Sequence, residues 1–182
     1  MANLSLNTPV SDTEHRRIAQ RRYDEYRKST LIATNASLCP PGVTATEITN
    51  QALDWIDDWD KYDRRDSYWD WRKLKHDHGR LYPKRFEIAL WEKGRPIGAA
   101  IGRPTYGGGK TRIDVVEGMP KDMGDRPNIV ETILGAFEIY SILIGASEVR
   151  VMHPVNAKVR EVYARYGYRY SEAGDYMVSE VT

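Results

Sequence analysis

The stretch of residues 85–118, RFEIALWEKGRPIGAAIGRPTYGGGKTRIDVVEG, limits the fold more than any other part of the chain. Phe86, Ile88 and Leu90 alternate with Glu87, Ala89 and Trp91, the period-2 pattern of a strand. Lys93 and Gly94 mark a tight turn, after which IGAAIG resumes the extended pattern with small residues. The next punctuation, PTYGGGKT, ends in the three residues that close a phosphate-binding P-loop. Such a loop needs glycine five positions before its last glycine and a helix directly after it. Here the first place holds Pro104, and Thr111 leads into RIDVVEG, a β-branched strand pattern. The glycines are therefore read as a hairpin turn, and the whole stretch as a three-strand antiparallel meander closed by Pro120.

What surrounds the meander is mostly helical. Before it, Ser11 or Asp12 is expected to cap a helix running to about Ser29, with Ile18, Ala19, Tyr23 and Tyr26 on one side and arginines on the other, after a loose terminus at residues 1–10. LCPPGVTAT reads as a loop, and Thr44 or Thr46 as the cap of a second helix presenting Ile48, Ala52, Trp55, Ile56 and Trp59. SYWDWRKLKHDHGRLYP reads as a short helix ended by Gly79 and Pro83. After the meander, Pro127 opens a core helix with Ile129, Val130, Ile133, Leu134, Phe137, Tyr140 and Leu143 on a wide apolar face. SEVRVMHP is a strand, residues 156–166 a helix stopped by Gly167, and YRYSEAGDYMVSEV a closing hairpin.

The chain of 182 residues is read as one domain, and 41% hydrophobic residues are enough for a core. With 27 basic and 26 acidic side chains there is no global field to gather nucleic acid or an anionic membrane. The longest apolar candidate, residues 129–146, is interrupted by Glu131, Glu138 and two glycines, so no membrane span is expected. A lone cysteine, Cys39, forms no internal disulfide, and with no leader pattern at the start a cytoplasmic location is expected.

The segment VNAKVREVYARYGY, residues 155–168, resembles a pattern of the GNAT superfamily of N-acetyltransferases: Asn156, Tyr163 seven residues on, Gly167 four after that, then the aromatic Tyr168. The order of segments over residues 85–181 is similar to that family too, with residues 11–80 as helices on the acceptor side. The resemblance implies a single GNAT-like α/β domain, a mixed, mostly antiparallel sheet flanked by helices. In it the strand at 111–118, carrying Val115 and Val116, and the strand at 148–153 form a splayed parallel pair. The pantetheine arm of acetyl-CoA would fill that gap, and its pyrophosphate would sit at the N-terminus of the core helix, where unpaired amides and the helix dipole favour anions. The corresponding loop is KDMGDRP: Lys121 stands at the first motif place, Gly124 matches the first glycine, and Arg126 replaces the last one. Lys121 and Arg126 are expected to pair with phosphate oxygens in place of the missing backbone approach, with Asn128 at the helix start.

By the same resemblance Tyr163 is the general acid for the departing thiolate and Asn156 binds the pantetheine amides. Glu117 is the candidate base, with Asp114 and Glu87 behind it. Tyr163 also shares a helix face with Val159 and Tyr166, so a core role stays open. The implied activity is acyl-CoA-dependent transfer of acetyl to an amine of a small molecule or protein. The alternative is a catalytically silent module of this fold that binds protein or nucleic acid. Asp54, Asp57, Asp58 and Asp60 favour a cationic acceptor if they face the site, and a solvated surface otherwise. His76 and His78 lack partners at metal-ligand spacing, so no metal is expected, and His153 either points into the splay or belongs to a plain loop. The tryptophans between 55 and 71 are read as packing the N-terminal helices onto the sheet.

Overall fold

A computed structural model describes residues 11–62 and 69–181. The expected loose terminus, and the end of the acidic run at residues 63–66, lie outside them. Among the described residues five α-helices and seven strands follow in the order α1 (Asp12–Ser37), β1 (Val43–Thr46), α2 (Asn50–Asp57), α3 (Trp71–Leu81), β2 (Phe86–Glu92), β3 (Arg95–Pro104), β4 (Lys110–Gly118), α4 (Ile129–Ile144), β5 (Glu148–Met152), α5 (Ala157–Ala164), β6 (Arg169–Ser171) and β7 (Tyr176–Glu180). The strands form one sheet in the order β1-β2-β3-β4-β5-β7-β6, antiparallel throughout except for β4 against β5. The α/β mixed sheet flanked by helices is thus as the sequence implied. The turn before β4 is a hairpin turn, with Thr105 N donating to Lys110 O at 2.8 Å and Gly108 at φ 74.

The central strands are buried on both faces, as a sheet covered by helices requires. On one face α4 crosses the sheet: Phe86 stacks on Tyr140 at 4.9 Å and meets Phe137 edge-on at the same distance. On the other face α2 and α3 pack with Ile56, Trp59 and Trp71 fully buried. No helix among the described residues is long and apolar enough to cross a membrane.

Several boundaries differ from the sequence reading, each for a local reason. Helix α1 continues to Ser37, because its inward face is polar but self-satisfied: Thr30 and Thr34 donate to the carbonyls of Tyr26 and Thr30, at 2.7 and 2.8 Å. Arg27 is buried, donating to the carbonyls of Pro83 and Arg85, while Ile18, expected inside, is exposed. The expected loop after Cys39 contains β1, an edge strand pairing with β2. The cap of α2 is Thr49 rather than Thr44 or Thr46, accepting from Ala52 N at 3.1 Å, and Trp55 lies at the surface. Gly79 is inside α3 rather than at its end. Asn128, not Pro127, sets the start of α4, because its side chain accepts from Val130 N and replaces a missing helical bond. Leu143 faces out from α4.

Candidate active site

The parallel pairing of β4 with β5 lasts only from Lys110 opposite Glu148 to Ile113 opposite Val151. Beyond that point both strands change course. On the β3 side of β4, Gly102 lies opposite Ile113 and Ile101 opposite Val115, so Asp114 is an extra residue, a β-bulge. A bulge bends its strand and increases the local twist, which carries the end of β4 away from β5. Gly102 makes the bulge possible: a Cβ there would lie 2.9 Å from Ile113 Cα and from Phe137 Cε1, and closer still to the carbonyl oxygen of Arg112. On the other side, β5 ends at Met152, and His153 turns the chain through a left-handed conformation at φ 47.

The bulge also decides which way β4 faces. Strand residues alternate between faces, so an unbroken strand would place Glu117 on the same face as Ile113, toward α4. The extra residue reverses the alternation. Glu117 lies opposite Ala99 and faces α3, where its Oε2 accepts from the indole Nε1 of Trp71 at 2.6 Å. Tyr163 comes from the other side of the sheet, on α5, whose end is tied to α4 by the hydrogen bonds of Tyr166 to Asn128 and Tyr168 to Glu138.

Where β4 and β5 part there is a cavity of about 250 Å³, lined by Val115, Val116, Glu117, Lys121, Arg126 and Tyr163 among others. These six of the sequence-proposed residues are therefore brought together. Glu117 is 5% exposed and Tyr163 7%. The Tyr163 hydroxyl has no hydrogen-bond partner among the described residues, and burial pushes it up to about 12, so it holds its proton at neutral pH and faces the cavity as a donor.

The other three proposed residues stand apart. Asn156 caps α5, its Oδ1 accepting from Val159 N at 3.0 Å. Asn128 caps α4 and donates to Tyr166. Gly124, at φ 117, supports the loop beside Arg95, which donates to Met123 O at 2.9 Å. Asp114 also lines the cavity, held by His78 at 2.9 Å and by Arg112, whereas Glu87 is held by Lys75 at 3.0 Å and is not on the cavity wall. The acidic patch on α2 is largely neutralised: Arg72 binds Asp54 and Asp57 at 2.6 and 2.7 Å, and Lys61 binds Asp58 at 2.6 Å.

Sequence reasoning missed Trp71 as a site residue, because an apolar helix position reads as packing whether or not its indole N–H has a partner. His153, which the sequence assigns more readily to a plain loop than to the splay, lies on the cavity wall.

The residues fit an acyl-CoA in three respects. Beyond Ile113 the β4 edge toward β5 has no strand partner among the described residues, so its backbone groups are open to an extended amide-bearing chain. The side chains of Val115 and Val116 give that slot apolar walls, and Lys121 and Arg126 put two cations at the end nearest the start of α4.

No family model matches the sequence, and no curated protein does. Solved structures do resemble the fold. A ribosomal-protein alanine N-acetyltransferase from Escherichia coli superposes with a TM-score of 0.56 at 12% identity, over 77% of this chain and 94% of its own. A spermidine N-acetyltransferase variant from Vibrio cholerae gives 0.57 at 13% identity, over 78% and 95%. An aminoglycoside 6'-N-acetyltransferase in complex with coenzyme A gives 0.53 at 14% identity, over 76% and 97%. With the meander, the parting of β4 from β5 and the order of the remaining elements, these likenesses give the chain the fold of the GNAT superfamily of N-acetyltransferases.

Proposed function

We propose that the chain is an acyl-CoA-dependent N-acyltransferase that moves acetyl from acetyl-CoA to an amine. The observation that carries this reading is the pair of proton-handling groups on the walls of one gap. Glu117 reaches it from the α3 face and Tyr163 from α5, at the place where the sheet opens. The neighbours named above are acetyltransferases, one of them bound to coenzyme A, which supports acyl transfer as the class of reaction.

The thioester supplies an activated acyl group, and the chain supplies the proton traffic. An acceptor ammonium must lose a proton before its nitrogen can attack, and Glu117 accepts it directly or through water. The indole of Trp71 donates to one carboxylate oxygen and fixes the Glu117 side chain on the cavity wall. Attack forms the carbon–nitrogen bond, collapse of that adduct breaks the carbon–sulfur bond, and the Tyr163 hydroxyl donates to the departing sulfur and regains a proton from the acylated nitrogen. Val115, Val116 and the backbone edge of β4 hold the pantetheine arm extended, and Lys121 and Arg126 bind the pyrophosphate.

A second reading, a silent module of the same fold, draws on the loop before α4. Arg126 occupies space that backbone amides would otherwise face: its Nε donates to Met119 O at 3.1 Å, and a Cβ on Gly118 would lie 2.6 Å from its Cζ. The experiment that separates the two is a melting curve with acetyl-CoA, followed by a mass-shift screen against mixed amines. A ligand at a hundredfold excess over Kd stabilises the folded chain by about 2.7 kcal/mol, or roughly 5–10 °C for a domain of this size. Replacing Lys121 and Arg126 together by Ala should abolish most of that shift. A melting curve unmoved by millimolar acetyl-CoA, with no heat in calorimetry, leaves the module.

A further inference from the structure

Acetylation of an ammonium is not proton-neutral. The ammonium nitrogen gives up two protons on its way to the amide; one goes to the sulfur as the carbon–sulfur bond breaks, and the other must leave the site in every turnover. Glu117 takes that proton but is poorly placed to release it, being 5% exposed and hydrogen-bonded to a buried indole. Among the lining residues one imidazole also reaches solvent. His153 lines the gap while its side chain keeps 69% of its exposure.

This histidine is held in place. Its Nδ1 lies 3.0 Å from Oδ2 of Asp175, and its backbone N–H donates to the Asp175 carbonyl at 2.9 Å. The other carboxylate oxygen of Asp175 accepts from the Tyr170 hydroxyl at 2.9 Å. His153 and Asp175 both sit at φ 47, a left-handed conformation that side-chain-bearing residues seldom adopt and that tends to persist where function needs it. Hydrogen bonds from His153 and Tyr170 hold the Asp175 carboxyl below its ordinary value, so it is an ionised acceptor at neutral pH. A carboxylate on Nδ1 fixes the neutral ring with its proton there and its lone pair on Nε2.

We propose that His153, oriented by Asp175, is the group through which the acceptor's proton leaves the site, Nε2 taking it from Glu117 through water and passing it to solvent. The inference rests on the acyltransferase reading and adds a residue to it. Asp175 is a positioning residue, acting only through the ring. The charged and titratable groups around His153 are Asp175 and Glu172 in the turn before β7, Tyr170 on β6, and Arg160 on α5, whose guanidinium lies 4.4 Å from the Tyr170 ring. Across the cavity are Glu117, Asp114, Lys121, Arg126 and Tyr163.

The test is steady-state acetyl transfer by the wild-type chain, His153→Asn and Asp175→Asn, measured in dilute buffer over about pH 6 to 9, with and without added imidazole. Asparagine tolerates the left-handed backbone but cannot carry a proton, so both variants should fold and bind acetyl-CoA with the wild-type melting shift. The expected result for His153→Asn is a fall in kcat of about 10-fold to 10²-fold near pH 7, with KM for acetyl-CoA unchanged. Added imidazole or concentrated buffer should relieve the loss, since a mobile base replaces the missing one. Asp175→Asn should show a smaller loss and a displaced pH profile. Wild-type kcat in His153→Asn at every pH overturns the proposal, as does a loss that is uniform in pH and untouched by imidazole. If the wild-type chain binds acetyl-CoA but acetylates no amine, the acyltransferase reading itself is overturned and this proposal with it.

Discussion

Gly102→Ala is the substitution that most directly probes how the fold makes the site. The new Cβ would stand 2.9 Å from Ile113 Cα and from Phe137 Cε1, and nearer than that to Arg112 O, where Cβ contacts under 3.0 Å essentially never occur. Two of these atoms are backbone and the third belongs to a fully buried ring, so no flexible side chain can swing aside. Overpacking of this kind costs about 1–3 kcal/mol. For a domain of this size each kcal/mol lowers Tm by roughly 2–4 °C, so the melting temperature should fall by about 3–10 °C. The function should fall further than the stability explains. Relief of the clash must come from β4 at the bulge, and the bulge is what bends the strand off β5 and turns Glu117 toward Trp71. Acetyl-CoA should then stabilise Gly102→Ala less than wild type, measured by thermal shift at a temperature where both are folded. Gly107→Ala, with open space around its Cβ and no positive φ, is the control and should change little. A Gly102→Ala protein with wild-type Tm and a wild-type acetyl-CoA shift refutes the assignment of the bulge as the origin of the gap.

Tyr163→Phe deletes one hydroxyl from a buried ring, and turnover should drop by about 10-fold to 10³-fold with acetyl-CoA binding kept; unchanged turnover returns the residue to the core. The same variant has a signature at high pH. Between pH 10, where a free tyrosine ionises, and about 12, the unfolded chain loses a proton that folded Tyr163 retains, so wild-type stability falls with pH by about 1.4 kcal/mol per unit from this group, and the variant should escape that part of the loss in alkaline denaturation curves. Glu117→Gln should cost most at low pH, where the acceptor is protonated, and least as pH approaches the pKa of the amine; a uniform loss across the profile indicates a structural role. Trp71→Phe removes the indole donor from a buried carboxylate, which should cost about 1–3 kcal/mol in denaturant unfolding, and adding it to Glu117→Gln should lower turnover little beyond the single change.

The parts of the fold legible in the sequence are those whose pattern is local. Alternation through FEIALW, a turn at Lys93 and Gly94 with φ 51 and 77, and a helical apolar face on α4 each require only neighbouring residues to agree, and each stands where the pattern placed it. The elements that were misjudged depend on partners far along the chain. VTAT reads as loop beside two prolines and a glycine, and is a strand only because β2 offers it an edge. The last two turns of helix α1 bury Thr30 and Thr34 rather than an apolar stripe, so no helical pattern announces them, and they are held by packing against α4.

The site shows the same division more sharply. Tyr163 is proposed because its spacing to Asn156 and Gly167, within one helix and its stop, resembles the family pattern, and Glu117 because it stands near the end of a strand. Which face Glu117 occupies was not readable, since one extra residue in β4 inverts the alternation, and that residue is extra only relative to β3. Gly102 is the one local trace of it, a glycine within a strand, and as the last residue of IGAAIG it marks a bulge as readily as a small-residue packing stripe. The pairs Trp71 with Glu117 and His153 with Asp175 span 46 and 22 residues, and no periodicity links residues so far apart. The proposed chemistry therefore sits where the strand pattern breaks: at the bulge that opens the gap, and at the left-handed turn after β5 that puts His153 on its wall.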